Sequence, residues 1–183
     1  MEKPSYAVIA YLPGALGRFV DELRKRLNPN YASWLAHVTW LTPRPLLLPP
    51  AEIVTRLREH CSRQEPFDVA IGGVSTFWPA NGVVYLEFSR GAEQLRELHG
   101  SANAGPLSHA EPFSYVPHVT IAQELDEVTT QRAFDEASQQ WLRYQGPTSF
   151  RIESFFLVQQ VSKARWRNLA PIPLSSFFYA ARS

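Results

Sequence analysis

Two copies of one tripeptide carry the chemistry of this chain. His37-Val38-Thr39 recurs letter for letter as His118-Val119-Thr120, about 80 positions later. In an extended strand, residues two apart share a face, so each copy presents an imidazole beside a hydroxyl while its valine turns inward. Imidazole is the side chain whose unperturbed pKa lets it give or take a proton near neutral pH, so two of them can serve one substrate as general acid and general base. The hydroxyls of Thr39 and Thr120 can donate to the non-bridging oxygens of a phosphate. Base, acid and two oxyanion donors suffice for phosphodiester chemistry without a metal. A single copy would read as a β-prone tripeptide holding a core histidine. Duplication is what makes it a candidate site.

The elements that must position the motifs follow from periodicity and breakers. Tyr6 to Leu12 is a β-prone apolar run ended by Pro13-Gly14, and it reads as a buried strand. Leu16, Phe19, Val20, Leu23 and Leu27 then recur at helical spacing, with Arg18, Asp21, Glu22, Arg24 and Lys25 as the polar residues between them, until Asn28-Pro29. The first motif strand covers roughly Ala36 to Thr42, and a helix over Ala51 to Arg63 carries Ile53, Val54, Leu57 and Cys61. Phe67 to Gly72 and Val74 to Trp78 are strand-like, and Asn81-Gly82 predicts a tight hairpin because both residues tolerate positive φ.

After the strand Val83 to Phe88 the order repeats. A helix spans Ala92 to Ala102, a polar loop follows, and Pro117 delivers the second motif strand, His118 to Ala122. Asp126 is suited to cap a helix running to about Tyr144, with Val128, Phe134, Ala137, Trp141 and Leu142 on its buried side. Strands over about Phe150 to Gln160 and Arg167 to Leu174 flank the basic turn Lys163 to Trp166. The shared order of strand, helix, motif strand, helix, strand is an internal repeat. It predicts an α+β fold: one domain over 1–183 made of two fused lobes, approximately 1–80 and 81–183. Two antiparallel-rich sheets would flank a cleft, with helices outside and the motif strands central. A pseudo-twofold axis would set His37 opposite His118, with the phosphate on the axis.

Composition bounds the partners. The 183 residues are 45% hydrophobic and 13% aromatic, enough for a folded core, and 18 Lys+Arg face 17 Asp+Glu. Near neutrality removes a global basic field for long duplexes or anionic membranes. The single Cys61 excludes an intrachain disulfide framework and suits a reducing compartment. Met1-Glu2-Lys3-Pro4 lacks the features of a signal peptide, and no apolar run approaches a membrane span of about 18 residues. These features predict a cytoplasmic protein with no obligate protein partner, and a monomer. No Cys/His/Asp cluster has metal-ligand spacing and no Gly-rich phosphate loop appears, so neither metal nor cofactor is expected.

Ala36-His37-Val38-Thr39-Trp40 and Pro117-His118-Val119-Thr120-Ile121-Ala122 resemble the paired H-x-T motifs of the two-histidine (2H) phosphoesterases. That family includes RNA 2′,3′-cyclic phosphodiesterases, 2′,5′-RNA ligase-like enzymes and plant cyclic phosphodiesterases. The resemblance covers the whole chain in organisation and the motifs in letters. It implies His37, Thr39, His118 and Thr120 as the catalytic quartet, acting on a nucleotide or RNA end that carries a cyclic phosphate and leaving a 2′-phosphate. His118 is assigned as base and His37 as acid, although a pseudo-symmetric site does not label its ends. Where bacterial RNA ligase-like members commonly place an arginine after the second motif, this chain has Gln123, which hydrogen-bonds but supplies no charge. The exchange weakens the case for RNA as substrate more than the case for phosphoesterase chemistry.

The family also places aromatic residues beside the nucleobase at the positions of Tyr11 and Phe77, making these and Gln123 the candidate substrate-binding residues. Alternation turns Trp40 away from the site into the core. Lys163, Arg165, Trp166 and Arg167 read as a solvated turn that could hold RNA phosphates, and His99 and His109 as solvent-facing. His60 has no expected role. The alternatives from other classes are a nucleotide- or RNA-binding module on the same fold that turns nothing over, and an enzyme using the two histidines on a non-phosphate substrate.

Overall fold

The structure is a computed structural model that describes residues 4–162 and 165–175. Its strands are β1 (Ser5–Tyr11), β2 (His37–Pro45), β3 (Phe67–Thr76), β4 (Val84–Arg90), β5 (His118–Ala122), β6 (Ser149–Ile152), β7 (Ser154–Ser162) and β8 (Arg165–Pro173). The helices are α1 (Gly14–Leu27), α2 (Pro50–Cys61), α3 (Ala92–Ala102) and α4 (Glu127–Arg143). Two antiparallel sheets of four strands result, one ordered β2-β1-β7-β8 and the other β5-β4-β3-β6.

The repeated order is present, but each half lends its last long strand to the other's sheet. β3 lies beside β4 in the second sheet, and β7 lies beside β1 in the first. The sheets are therefore not successive halves of the chain, and the expected division near residue 80 falls inside the β3–β4 hairpin. The single strand expected over Phe150 to Gln160 is broken at Glu153, where the chain leaves one sheet as β6 and enters the other as β7. Conversely, Phe67 to Thr76 is one strand, with a register shift between Ile71 and Val74 at the Gly72-Gly73 pair. The motif strands are not central in their sheets. β2 and β5 are edge strands, and these two edges pack against each other at the centre of the molecule.

The helices follow their apolar rows. α2 buries Ile53, Leu57 and Cys61 at four-residue spacing, and Asp126 caps α4 by accepting the Thr129 N–H at 2.8 Å. α4 buries Thr130, Ala133 and Ala137, whereas Val128 and Leu142, expected inside, are 60% and 81% exposed. The β3–β4 connection is longer than an Asn-Gly two-residue turn. The Phe77 N–H donates to the Val83 carbonyl at 3.0 Å, and neither Asn81 nor Gly82 has positive φ. Gly82 is needed there for space: a Cβ would lie 1.8 Å from the Leu125 carbonyl oxygen.

Trp40 is fully buried in the main core, its ring 4.7 Å from Phe155 and 5.7 Å from His60. Val38 and Val119 are fully buried as well. Each such side chain contributes roughly 1.5–3 kcal/mol through burial, which fixes the register that turns the motif histidines and threonines to the opposite face. No helix among the described residues is long and apolar enough to cross a membrane.

Candidate active site

The burial of β2 and β5 alternates identically through both motifs, with His and Thr half-buried and the intervening Val and following residue buried. His37, Thr39, His118 and Thr120 all line one cleft of about 630 Å³. Each imidazole is pinned in the same way. The Nδ1 of His37 lies 2.7 Å from the Leu35 carbonyl, and that of His118 lies 2.7 Å from the Val116 carbonyl. A carbonyl only accepts, so Nδ1 carries the proton and Nε2 of each ring is the nitrogen available for chemistry.

The surroundings push both imidazoles towards neutrality. His37 is held well below the ordinary histidine range by burial, then by the Arg24 guanidinium and by repulsion from His118, against the opposing hydrogen bond to Leu35. His118 is lowered by burial and by Arg24, against its bond to Val116. The Phe77 ring stands edge-on to His118 at 5.0 Å and stacks on Tyr85 at 4.2 Å, while Trp34 lies 5.9 Å from His37.

The other sequence-derived candidates separate. Phe77 and Gln123 line the main cleft. Asn28 fixes the Gln123 backbone, donating from Nδ2 to its carbonyl and accepting its N–H at Oδ1, both at 3.2 Å. Tyr11 instead lines an adjoining pocket of about 280 Å³, which shares Trp34, His37, Thr39 and Pro43 with the cleft. Its hydroxyl donates to Asn168 Oδ1 at 2.6 Å, and Trp166 forms part of the same wall. Of the basic turn, Lys163 lies outside the described residues. Arg167 donates to Gln159 Oε1 at 2.7 Å, and neither it nor Arg165 lines the cleft.

Two histidines contradict their expected exposure. His99 is buried at 6% exposure, with Nδ1 2.8 Å from the Trp40 carbonyl and Nε2 3.0 Å from Glu111 Oε2. Tyr115 stacks on it at 3.9 Å and donates its hydroxyl to the Thr39 carbonyl at 2.7 Å. Glu111 also accepts from Thr42 and from Arg44, the latter at 2.6 Å, so the loop before β5 is tied to β2. His109 is half-buried and lines the cleft.

Arg24, Asn28, Trp34 and Glu111 also line the cleft and were not among the sequence candidates. For the first two a signal existed. Leu16, Val20, Arg24 and Asn28 form one four-residue row on α1 and its C-cap, so these polar residues extend a buried apolar stripe rather than lying between its members. Among the described residues, no group of three His, Cys, Asp or Glu side chains is placed to hold a metal ion.

Comparison with known proteins agrees with this arrangement. A "Putative phosphoesterase" of Bacillus pumilus is 35% identical over 123 residues, covering 67% of this chain and 71% of that protein. One of the same name from Bacillus anthracis is 30% identical over 145 residues, covering 79% and 81%. In fold, the chain resembles Escherichia coli LigT crystallised with 3′-AMP, with a TM-score of 0.62, 18% identity and coverage of 95% and 99%. It also resembles Kluyveromyces marxianus Usb1 with uridine monophosphate, with a TM-score of 0.52, 16% identity and coverage of 94% and 98%. The family model of the 2′-5′ RNA ligase superfamily matches residues 12–164. With paired histidine motifs facing one cleft on a two-sheet fold, the chain belongs to the 2′-5′ RNA ligase superfamily of two-histidine phosphoesterases.

Proposed function

We infer that this phosphoesterase opens 2′,3′-cyclic phosphates of nucleotides or short RNA ends, leaving a 2′-phosphomonoester, by metal-independent acid–base catalysis. The observation that carries this reading is the matched pair of imidazoles, each presenting Nε2 to one cleft beside a threonine hydroxyl. One Nε2 takes a proton from water as its oxygen bonds to phosphorus. The other gives a proton to the 3′ oxygen as the bond from phosphorus to that oxygen breaks. Thr39 and Thr120 donate to the non-bridging oxygens, where charge grows, and losing one such donor raises the barrier by about 3 kcal/mol.

Repulsion between the two rings is mutual, so the pair holds one proton at a time, with His118 as the base and His37 as the acid in the assignment made from sequence. Nucleotides as the ligand class are supported by the 3′-AMP bound to LigT and the uridine monophosphate bound to Usb1. Phe77 offers a face for a base in the main cleft and Tyr11 in the adjoining pocket, each such stack contributing roughly 1–3 kcal/mol. Gln123 is placed to hydrogen-bond either phosphate or base edge.

The test is turnover of the four nucleoside 2′,3′-cyclic monophosphates and a short RNA ending in a cyclic phosphate, in EDTA, with products identified by phosphorus NMR. A single 2′-phosphate regioisomer, lost in both His37→Ala and His118→Ala, is expected. Nucleotide binding without any product would replace this reading with a binding module.

A further inference from the structure

The guanidinium whose charge acts on both imidazoles belongs to neither motif. Arg24 is 4% exposed and lines the cleft with the two histidines and two threonines. Its Nε donates to the Thr120 carbonyl and its Nη1 to the Trp34 carbonyl, both at 2.8 Å, so the guanidinium is fixed between β5 and the segment entering β2. Neither acceptor carries a charge. Asp21, its acidic neighbour on α1, accepts the Ala36 N–H at 2.7 Å and, among the described residues, forms no ion pair with Arg24. Across the cleft, Glu111 is already engaged by Arg44 and His99. The charge of Asp21 acts on the guanidinium against the cost of its burial, and neither of the two carbonyl bonds uses Nη2.

We propose that Arg24 is the phosphate anchor of the cleft, donating from Nη2 to a non-bridging oxygen and supplying from α1 the charge that Gln123 does not supply after the second motif. The proposal rests on the phosphodiesterase reading of the site. It adds a catalytic residue that binds the anion and also governs the histidines. In the empty cleft the guanidinium opposes a proton on either ring. An entering phosphate offsets that charge, so a proton is taken up with the substrate. The other titratable groups facing the pair, Asp21 on α1, Tyr85 on β4 and His109, Glu111 and Tyr115 on the loop before β5, are unchanged by replacing Arg24.

Inorganic phosphate is the probe, because it needs no turnover. Calorimetry on Arg24→Gln and Arg24→Lys is expected to show phosphate affinity falling roughly ten- to hundredfold in the first and partly restored in the second. Nitrogen NMR of the ligand-free proteins is expected to show both imidazoles titrating at higher pH in Arg24→Gln than in wild type. In wild-type protein, phosphate should shift the Arg24 guanidinium resonances, a readout that survives if the glutamine variant fails to fold. Unchanged affinity in a folded Arg24→Gln protein, or unmoved guanidinium resonances at saturating phosphate, would overturn the proposal. Absence of cyclic-phosphate turnover with these shifts intact would sink the catalytic reading and leave the anchor standing.

Discussion

The two motif halves hold their histidines alike and surround them differently. In each, the carbonyl two residues before the histidine meets Nδ1 at 2.7 Å, and in each the motif strand is braced by a helix from the other half. α1 reaches β5 by sending Arg24 to the Thr120 carbonyl, and α3 reaches β2 by sending His99 to the Trp40 carbonyl. There the likeness ends. His99 is closed in by Glu111, Arg44 and Tyr115, whereas Arg24 lines the cleft and bonds carbonyls there, with the charge of Asp21 beside it on α1. The repeated residues thus set where the two imidazoles stand. The unrepeated residues on the opposing helices set how each ring responds to charge.

The sharpest way to break the comparison is to remove one ring at a time and follow the pH profile. Wild type should give a bell-shaped kcat/KM profile whose limbs belong to the pair. His37→Ala and His118→Ala should each lose at least about a hundredfold. The residual rate should lose its acidic limb when His118 is removed and its alkaline limb when His37 is removed. Interchanged limbs would make His37 the base and His118 the acid.

A smaller effect separates the bracing cluster from the cleft. Glu111→Ala leaves Arg44, 1% exposed at its side chain, without its carboxylate, and should destabilise the fold by about 3 kcal/mol in urea unfolding. Since Tyr115 remains to hold Thr39, the two imidazoles should keep their titration in that variant. A shift in both rings equal to that of an Arg24 variant would show that the two braces are not distinct.

The smallest effect is on stability against pH. Both imidazoles have folded pKa values below the unfolded value of about 6.5, so their contribution is present above that pH and is lost as pH falls towards the folded values. Melting experiments should show stability falling between pH 6.5 and 5.5, by about 1 kcal/mol for His37 with a further loss in the same direction from His118, diminished by saturating phosphate. A melting temperature that rises on acidification would contradict the direction of both shifts.

Much of this was legible because it depends on local spacing. The tripeptide, its alternation, the apolar rows of α2 and the Asp126 cap each lie within a few residues of one another. What escaped depends on partners distant in sequence. Gly82 looked like a turn residue with positive φ, yet its small size serves the approach of Leu125. His99 looked exposed because Glu111, which covers its Nε2, comes from an irregular loop with no periodicity to reveal it. Arg24 looked like a spacer between apolar residues because its acceptors, Trp34 and Thr120, are visible only once β2 and β5 are brought together. The break at Glu153 had no breaker residue to announce it; it arises because β6 and β7 belong to different sheets.

The exchange of β3 and β7 has a consequence for biosynthesis. Ile9 pairs with Phe156, and Trp40 packs on Phe155, so the first sheet is completed only by residues far downstream of its first two strands. On the ribosome, a nascent chain that has emerged through α4 would hold β1 and β2 as a bare two-stranded ribbon, with an indole uncovered and β1 unpaired on the side where β7 will lie. The second sheet, by contrast, needs only β6 beyond that point. The first sheet therefore cannot close until β7 and β8 have been made.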